Sequence, residues 1–320
     1  MCNFKEKYKS LKKKGKHGAM YVSTVVKIIS CVVVGALVIS GLAVVTNGAM
    51  NSASGKVDSL FAKSYNYEGN SNNGGAIVPG EGENEAGKTA VYIDGAKQLV
   101  ENGGSVTLPV NNSSNFVGYL SSSKKLYRAG QSVSLSEDTI FSTIEMGIEM
   151  DSVGYKIREK GTTYGIRFYT KLDTDLVASL REAGATVELG TLIGPANAIG
   201  SDDLTFALDE SKYIDVVYSS AEWYEEDSFK GMVGSIANIK EKNANRDFIG
   251  RGYAKIHYED SNGNTIDKIC YASYAGGDIA NNTANIAELS HQLKADTAAY
   301  NELDDTVKAQ VDTYASLYQG

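Results

Sequence analysis

The sequence predicts a single N-terminal transmembrane helix, mainly-β (α+β) extracellular modules after it, and C-terminal helices. Three observations carry that reading. Residues Ile28–Val45 contain no charge. Lysines crowd before this run and not after it. From residue 89 to residue 283, short apolar–polar alternations recur between Gly- and Asn-bearing turns, and beyond them the apolar period lengthens to that of a helix.

Residues 1–20 form a basic tail with seven lysines against Glu6. Lys12, Lys13, Lys14 and Lys16 stand closest to the apolar run. The positive-inside rule places this end in the cytoplasm, where the same lysines meet anionic lipid headgroups. The membrane helix is expected over residues 21–46. Its 18 uncharged residues are lengthened by Tyr21, Val22, Val25 and Val26, and roughly 20 residues at ~1.5 Å each cross a ~30 Å hydrocarbon core. Lys27 snorkels at the inner end, and Ile28 and Val45 bound the span. Gly35 and Gly41 allow a second helix to approach, although their spacing is not G-x-x-x-G. The run is apolar on every face, unlike a core helix with one apolar stripe. A secretory apolar region spans about 7–15 residues and ends in an A-x-A-like site. This run is longer, and TNGAMNSASG matches such a site weakly, so the anchor is expected to be retained. Cys31 precedes most of the apolar run, which argues against lipidation.

The formal net charge is −8, and the eight lysines and one glutamate of residues 1–27 leave 23 basic and 38 acidic residues beyond them, a net −15. An acidic exterior lacks the clustered cations that phosphate neutralisation needs, so no nucleic-acid partner is expected. The predicted topology puts Cys2, Cys31 and Cys270 in three compartments, which excludes an intrachain disulfide. Cys270, within KICYASY, reads as a buried strand residue rather than a reactive thiol. The 20 tyrosines against one tryptophan, Trp223, fit a tyrosine-rich sheet protein and also offer amphipathic binding faces.

Residues 47–88 read as a juxtamembrane segment and a disordered stalk, since Asn70–Lys88 is rich in Gly, Asn and Glu. Residues 89–146 form a small all-β module with strands in TAVYIDG, KQLVENGG, SVTLPV, NFVGYLS, LYRAGQ, SVSLSED and TIFSTI. Residues 147–283 form a larger β-rich module of two packed sheets, with SVGYKIR, YGIRFYTKL, TVELGTLIG, YIDVVYSSAEWY, FKGMVGSIANI, DFIGRGYAKIHYE and NTIDKICYASY as strands. Its one helix lies in LDTDLVASLREAG: Asp173 or Thr174 caps it, Leu176, Val177 and Leu180 share a face, and Gly184 fits the residue after its end. Residues 284–320 are helical, with stripes at Ile286, Leu289 and Leu293 and at Leu303, Val307, Val311, Tyr314 and Leu317, broken at NELDD. Packing onto the β module is favoured over pairing with a partner helix.

No catalytic constellation emerges, and no cofactor or metal is expected. His257 and His291 have no Cys, Asp or Glu at metal-ligand spacing. GRGYAK sits inside a strand pattern with no helix after it, so it is not a dinucleotide loop. Glu225, Glu226 and Asp227 read as a solvated turn. Asp260, Asn262 and Asn264 match the first ligands of a calcium loop, but Thr265 and Tyr271 stand where that loop needs Gly and Glu. The same stretch reads as a hairpin turning at Asn262-Gly263.

VVKIISCVVVGALVISGL followed by VDSLFAKSYNYEG resembles small single-span membrane proteins of conjugative elements in clostridia-type Gram-positive bacteria. The correspondence covers about residues 10–68 through KKKGKHG, Lys27-Ile28, Gly35-Ala36-Leu37 and Phe61. FVGYLSSSKKLYRAGQSVSLSEDTIFSTI resembles small β repeats of Gram-positive surface proteins, with Tyr119 at the usual Trp position. GIRFYTKL, ELGTLIGPAN, GSIANI and RDFIGRGYAKIHY resemble a module of large secreted proteins of gut Firmicutes that brings no activity with it. These resemblances imply a noncatalytic, adhesin-like protein at the cell surface, anchored in the plasma membrane, facing a protein or glycan ligand and linked to conjugative transfer. One alternative is a pilin-like or secretion-apparatus subunit that self-associates, although the Glu expected after a prepilin cleavage site is absent. The other is an accessory of extracellular glycan processing.

Overall fold

The computed structural model describes residues 86–157, 164–220, 222–226 and 229–320. The expected basic tail, the membrane span and nearly all of the stalk lie outside the described residues. Among those described, no helix is long and apolar enough to cross a membrane. The described chain is mainly β with a helical C-terminal end.

The first sheet has strand order β2-β1-β7-β4-β5. β1 (Lys88–Ile93) and β2 (Ala96–Glu101) form a hairpin. Both turn residues, Asp94 and Gly95, have positive φ, 47° and 86°, as the twist of a two-residue hairpin demands. β1 then runs parallel to β7 (Thr139–Glu145), which pairs antiparallel with β4 (Phe116–Ser121), and β4 with β5 (Leu126–Tyr127). β3 (Ser105–Thr107) and β6 (Ser132–Ser134) make a small second sheet. Phe116, Tyr119, Tyr127 and Phe141 pack with Val106 and Val133 of that small sheet and with Leu108 beside it. All six residues of β4 are buried, because its other face carries Val117 and Leu120 into the main core.

That main core lies in a two-sheet sandwich. One sheet has order β12-β13-β9-β8, from β8 (Ile148–Ile157), β9 (Gly165–Leu172), β12 (Tyr224–Glu226) and β13 (Phe229–Ala237). The other has order β11-β10-β14-β15, from β10 (Thr186–Pro195), β11 (Ile214–Val217), β14 (Phe248–Glu259) and β15 (Thr265–Tyr271), with β16 (Thr283–Ala284) joining β14. Glycines set how closely the sheets approach. A Cβ on Gly250 would overlap the Phe168 ring, one on Gly252 would overlap Thr170, and one on Gly234 would overlap Thr191. The Gly250-Arg251-Gly252 stretch is therefore a strand face that receives side chains from β9. Arg251, between the two glycines, points outward onto Tyr271 and Tyr274, with its guanidinium 5.2 and 4.9 Å from the two ring centres.

The sandwich is capped at both ends. α1 (Thr174–Glu182) begins at Asp173, whose carboxylate accepts from the N–H groups of Asp175 and Leu176, and Gly184 follows its end at φ 91°. Leu176, Val177 and Leu180 are buried on its inner face. Three helices close the other end: α3 (Ile286–Ala295), α4 (Thr297–Glu302) and α5 (Asp305–Ala315). Ile286, Leu289, Val307 and Val311 enter the main core, and Tyr314 stacks on Tyr164 and donates to the Ile239 carbonyl. Asp304 of NELDD caps α5.

The modules expected on either side of residue 146 share one hydrophobic core, in which Val117, Leu120, Leu126 and Ile144 pack with Ile148, Met150, Ile256 and Tyr258. Polar contacts lock the same boundary. The buried Tyr258 hydroxyl donates to the Val117 carbonyl at 2.9 Å, and Ser261 N–H donates to the Leu126 carbonyl at 3.2 Å. The Arg128 guanidinium reaches Asp260 at 3.2 Å, and the Gln131 amide donates to Ser261 at 2.7 Å.

YIDVVYSSAEWY, expected as one strand, divides into β11 and β12 on opposite sheets, and Tyr218 stacks on Trp223 at 6.3 Å where the chain crosses between them. A segment with no strand or long-helix signature follows β10. It contains the short α2 (Ala196–Ile199) and runs over the outer face of the β10–β14 sheet. Leu204 and Phe206 pack there with Tyr253, and the Tyr271 hydroxyl accepts from Phe206 N–H at 3.0 Å.

Replacing Gly250 with Ala is expected to force the sheets apart at Phe168 and to cost about 1–3 kcal/mol, the usual range for overpacking a core. Urea unfolding measures this, and an unchanged midpoint would contradict the glycine-set spacing.

Candidate interaction surface

The two outer faces of the sandwich differ. The β10–β14 face is sealed by the 196–213 segment. On the β9–β13 face, Arg167, Lys171, Tyr224, Val233 and Ser235 stay half-buried. Strand alternation puts Arg167, Tyr169 and Lys171 in line along β9, over roughly 13 Å. Tyr169 is buried between two rings, Tyr224 at 5.6 Å and Phe229 at 5.1 Å. Arg167 donates to the Tyr224 hydroxyl at 2.7 Å and lies 5.0 Å over the ring. Burial, more than any neighbouring charge, pushes the Tyr169 phenol up and keeps it neutral. The result is a rigid aromatic platform with a fixed cation at one end.

At the other end, Lys171 leads into a groove of about 480 Å³ between the first sheet and the sandwich, where Asn115, Glu145, Glu149 and Ser273 also reach the lining. Several contacts set its shape. Lys171 bonds Asp151 at 2.8 Å, which raises the lysine's pKa. Ser113 donates to Glu145. Asn115 accepts from Met146 N–H at 2.9 Å. Met150 N–H donates to the Ser273 carbonyl at 2.8 Å, which ties β8 to the strand end after β15. Glu145 and Glu149 are solvent-exposed. Aromatic edge, amide, hydroxyl and carboxylates thus lie on one continuous surface.

The residues singled out from sequence are placed as follows. Lys12, Lys13, Lys14, Lys16, Lys27, Ile28, Gly35, Gly41 and Val45 lie outside the described residues. His257 pairs across strands with Asp267 at 2.8 Å, and His291 stacks on Tyr318 at 4.8 Å. Glu225 is not in a turn: it lies on β12 and pairs with Lys230 at 2.9 Å, because β12 and β13 form a hairpin there. Cys270 is buried on β15, and burial pushes its thiol up to about 11, which suits an inert strand residue.

The Asp260 loop is a hairpin turn. Gly263 adopts φ 77°, and the Asp260 carboxylate accepts from the N–H groups of Asn262 and Asn264 and from the Asn264 amide. Its side chain is 0% exposed and faces Arg128, so a guanidinium stands where a calcium reading would put the ion. Among the described residues no cluster of His, Cys, Asp or Glu suits a metal.

YGIRFYTKL reads as a strand from sequence without Arg167, Tyr169 or Lys171 being singled out, and its alternation is the signal that puts them on one face. Tyr224, Phe229, Asn115 and Ser273 join them only through sheet pairing and the packing of the first sheet, which no local spacing encodes. No family model matches the chain, and no curated protein or solved structure is detectably similar to it.

The Asp260 carboxyl makes the loop acid-sensitive. Burial alone would raise its pKa, but the Asn264 amide, the two N–H donors and Arg128 outweigh burial and hold it below the usual value. A lowered folded-state pKa stabilises at pH above the unfolded value, near 4, and that contribution drains away as pH falls further. Asp260→Asn is expected to be less stable than the parent at pH 7, with the gap narrowing below about pH 4. Urea midpoints of both proteins from pH 7 to pH 3 check this, and a gap independent of pH would contradict it.

Proposed function

We propose that the chain is a noncatalytic cell-surface interaction protein, anchored by the uncharged run Ile28–Val45 and displaying residues 89–320 outside the plasma membrane. The acidic balance beyond residue 27 and the lysines before it support that orientation. The resemblances of its span and β modules to Gram-positive membrane and surface proteins support the adhesin-like role and a link to conjugative transfer.

The observation that carries the binding role is the continuity of the platform with the groove. Tyr224, braced by Arg167 and by the Tyr169–Phe229 pair, offers an apolar ring edge with little conformational freedom left to lose. Asn115, Glu145 and Glu149 then offer amide and carboxylate groups a few residues' length away. Extended, hydroxyl-rich glycans match that alternation of stacking and hydrogen-bonding surface, and a glycan is the proposed ligand class.

Intact cells expressing the full chain, applied to a glycan array, test both halves of this reading. Binding is expected, and Tyr224→Ala is expected to weaken it about tenfold, or ~1.4 kcal/mol. A C-terminal epitope should remain reachable from outside the cell in both forms. An epitope accessible only after lysis contradicts the topology, and binding indifferent to Tyr224→Ala contradicts the site.

A further inference from the structure

The sandwich has one edge whose guard is a single acidic residue. Sheet edges expose unpaired N–H and C=O groups, and folded proteins protect them with charge, proline, bulges or very short strands. β2 carries Lys97 and Glu101. β12 carries Glu225, which pairs with Lys230 of β13. β15 includes Asp267 and Lys268, and β8 is bonded to Ser273. β5 is two residues long.

β11 differs. It pairs only with β10. Its sequence is Ile-Asp-Val-Val, without lysine or proline. Ile214 and Val217 are 47% and 49% exposed, among the few large apolar side chains left open on the described surface. Its one charge is acidic and stays exposed: Asp215 accepts from the Tyr253 hydroxyl at 2.7 Å and lies 3.7 Å from the Lys255 ammonium.

The surroundings of this edge are acidic. Asp209 and Glu210 precede β11, and Glu222 follows it, all exposed. The lysines nearby are engaged, Lys212 with Asp202 at 4.0 Å and Lys230 with Glu225 at 2.9 Å. A second copy of the chain would bring a like-charged edge, since the residues beyond 27 carry a net −15. A cationic strand would find complementary charge on both flanks.

We propose that β11 is a docking edge for an extended basic peptide of another protein, which adds as a fifth strand to the β11-β10-β14-β15 sheet. Backbone groups supply the affinity, Val217 packs against its β-branched side chains, Ile214 on the opposite face packs against the stems of its lysines, and the acidic flanks select its lysines or arginines. This site is on a different sheet from the proposed glycan surface and does not depend on it.

The probe is a blocked peptide of about eight alternating Lys and Val residues, with its Glu-for-Lys counterpart as control, added to the full-length chain. The Lys peptide is expected to slow amide exchange at residues 214–217, while the Glu peptide leaves it unchanged. Val217→Lys is expected to weaken binding of the Lys peptide about tenfold or more. Both side chains are exposed, so the fold tolerates the change, and Ile214→Lys provides an independent second variant with the same expected loss. Equal binding of the two peptides, protection confined to other strands, unchanged affinity in both variants, or protection of β11 that arises from self-association without peptide would each overturn the proposal.

Discussion

Two neighbouring side chains at the end of β14 hold the first sheet to the sandwich. Tyr258 carries its hydroxyl into the core and spends it on the Val117 carbonyl, and burial pushes the phenol up to about 12. Asp260, two residues on, closes its own hairpin turn and takes Arg128 from the facing loop. Both groups are buried, so losing either partner leaves a polar atom without water or protein to bond it, at a cost of about 1–3 kcal/mol. Gly118 belongs to the same joint, since a Cβ there would fall 2.7 Å from the Tyr258 hydroxyl. This joint makes the chain from β1 to α5 one body. It also creates the groove at Asn115, Glu145 and Ser273, which needs both parts in place.

The sandwich distributes its surfaces unequally. Gly234, Gly250 and Gly252 make room inside for Thr191, Phe168 and Thr170, while Tyr169, Tyr224, Tyr253 and Tyr271 lie on the outer faces. On the β10–β14 sheet they are covered by the 196–213 segment, and the Lys255 ammonium lies 4.0 Å over the Phe206 ring between Glu188 and Asp215. On the β9–β13 sheet they remain half-open, braced by Arg167. One sheet thus presents a side-chain platform and the other presents a strand edge. The proposed glycan and peptide contacts are therefore of different physical kinds and can be lost independently.

Much of this was legible in the residues. The capped helix after Asp173, the hairpin at Asn262-Gly263, the inert Cys270 and the two helical stripes after residue 284 each depend on neighbours within a few positions, and all stand in the structure. Elements fixed by distant partners were not. Tyr218 and Trp223 look like strand residues and instead mark the crossing between sheets. The covering segment has no period because it is held by side chains from three strands rather than by its own backbone. Glu225 reads as a turn until β13 is placed beside it. The shared core across residue 146 was equally hidden, because alternation reports which face is apolar and not which sheet covers it.

Native-state amide exchange tests the joint most directly. As denaturant rises, the protected amides of β4 and of β14 are expected to converge on one unfolding free energy and one denaturant dependence, since a single core links them. If β4 amides open at a clearly lower free energy while β14 stays protected, the first sheet is a separate domain and the account of the joint fails.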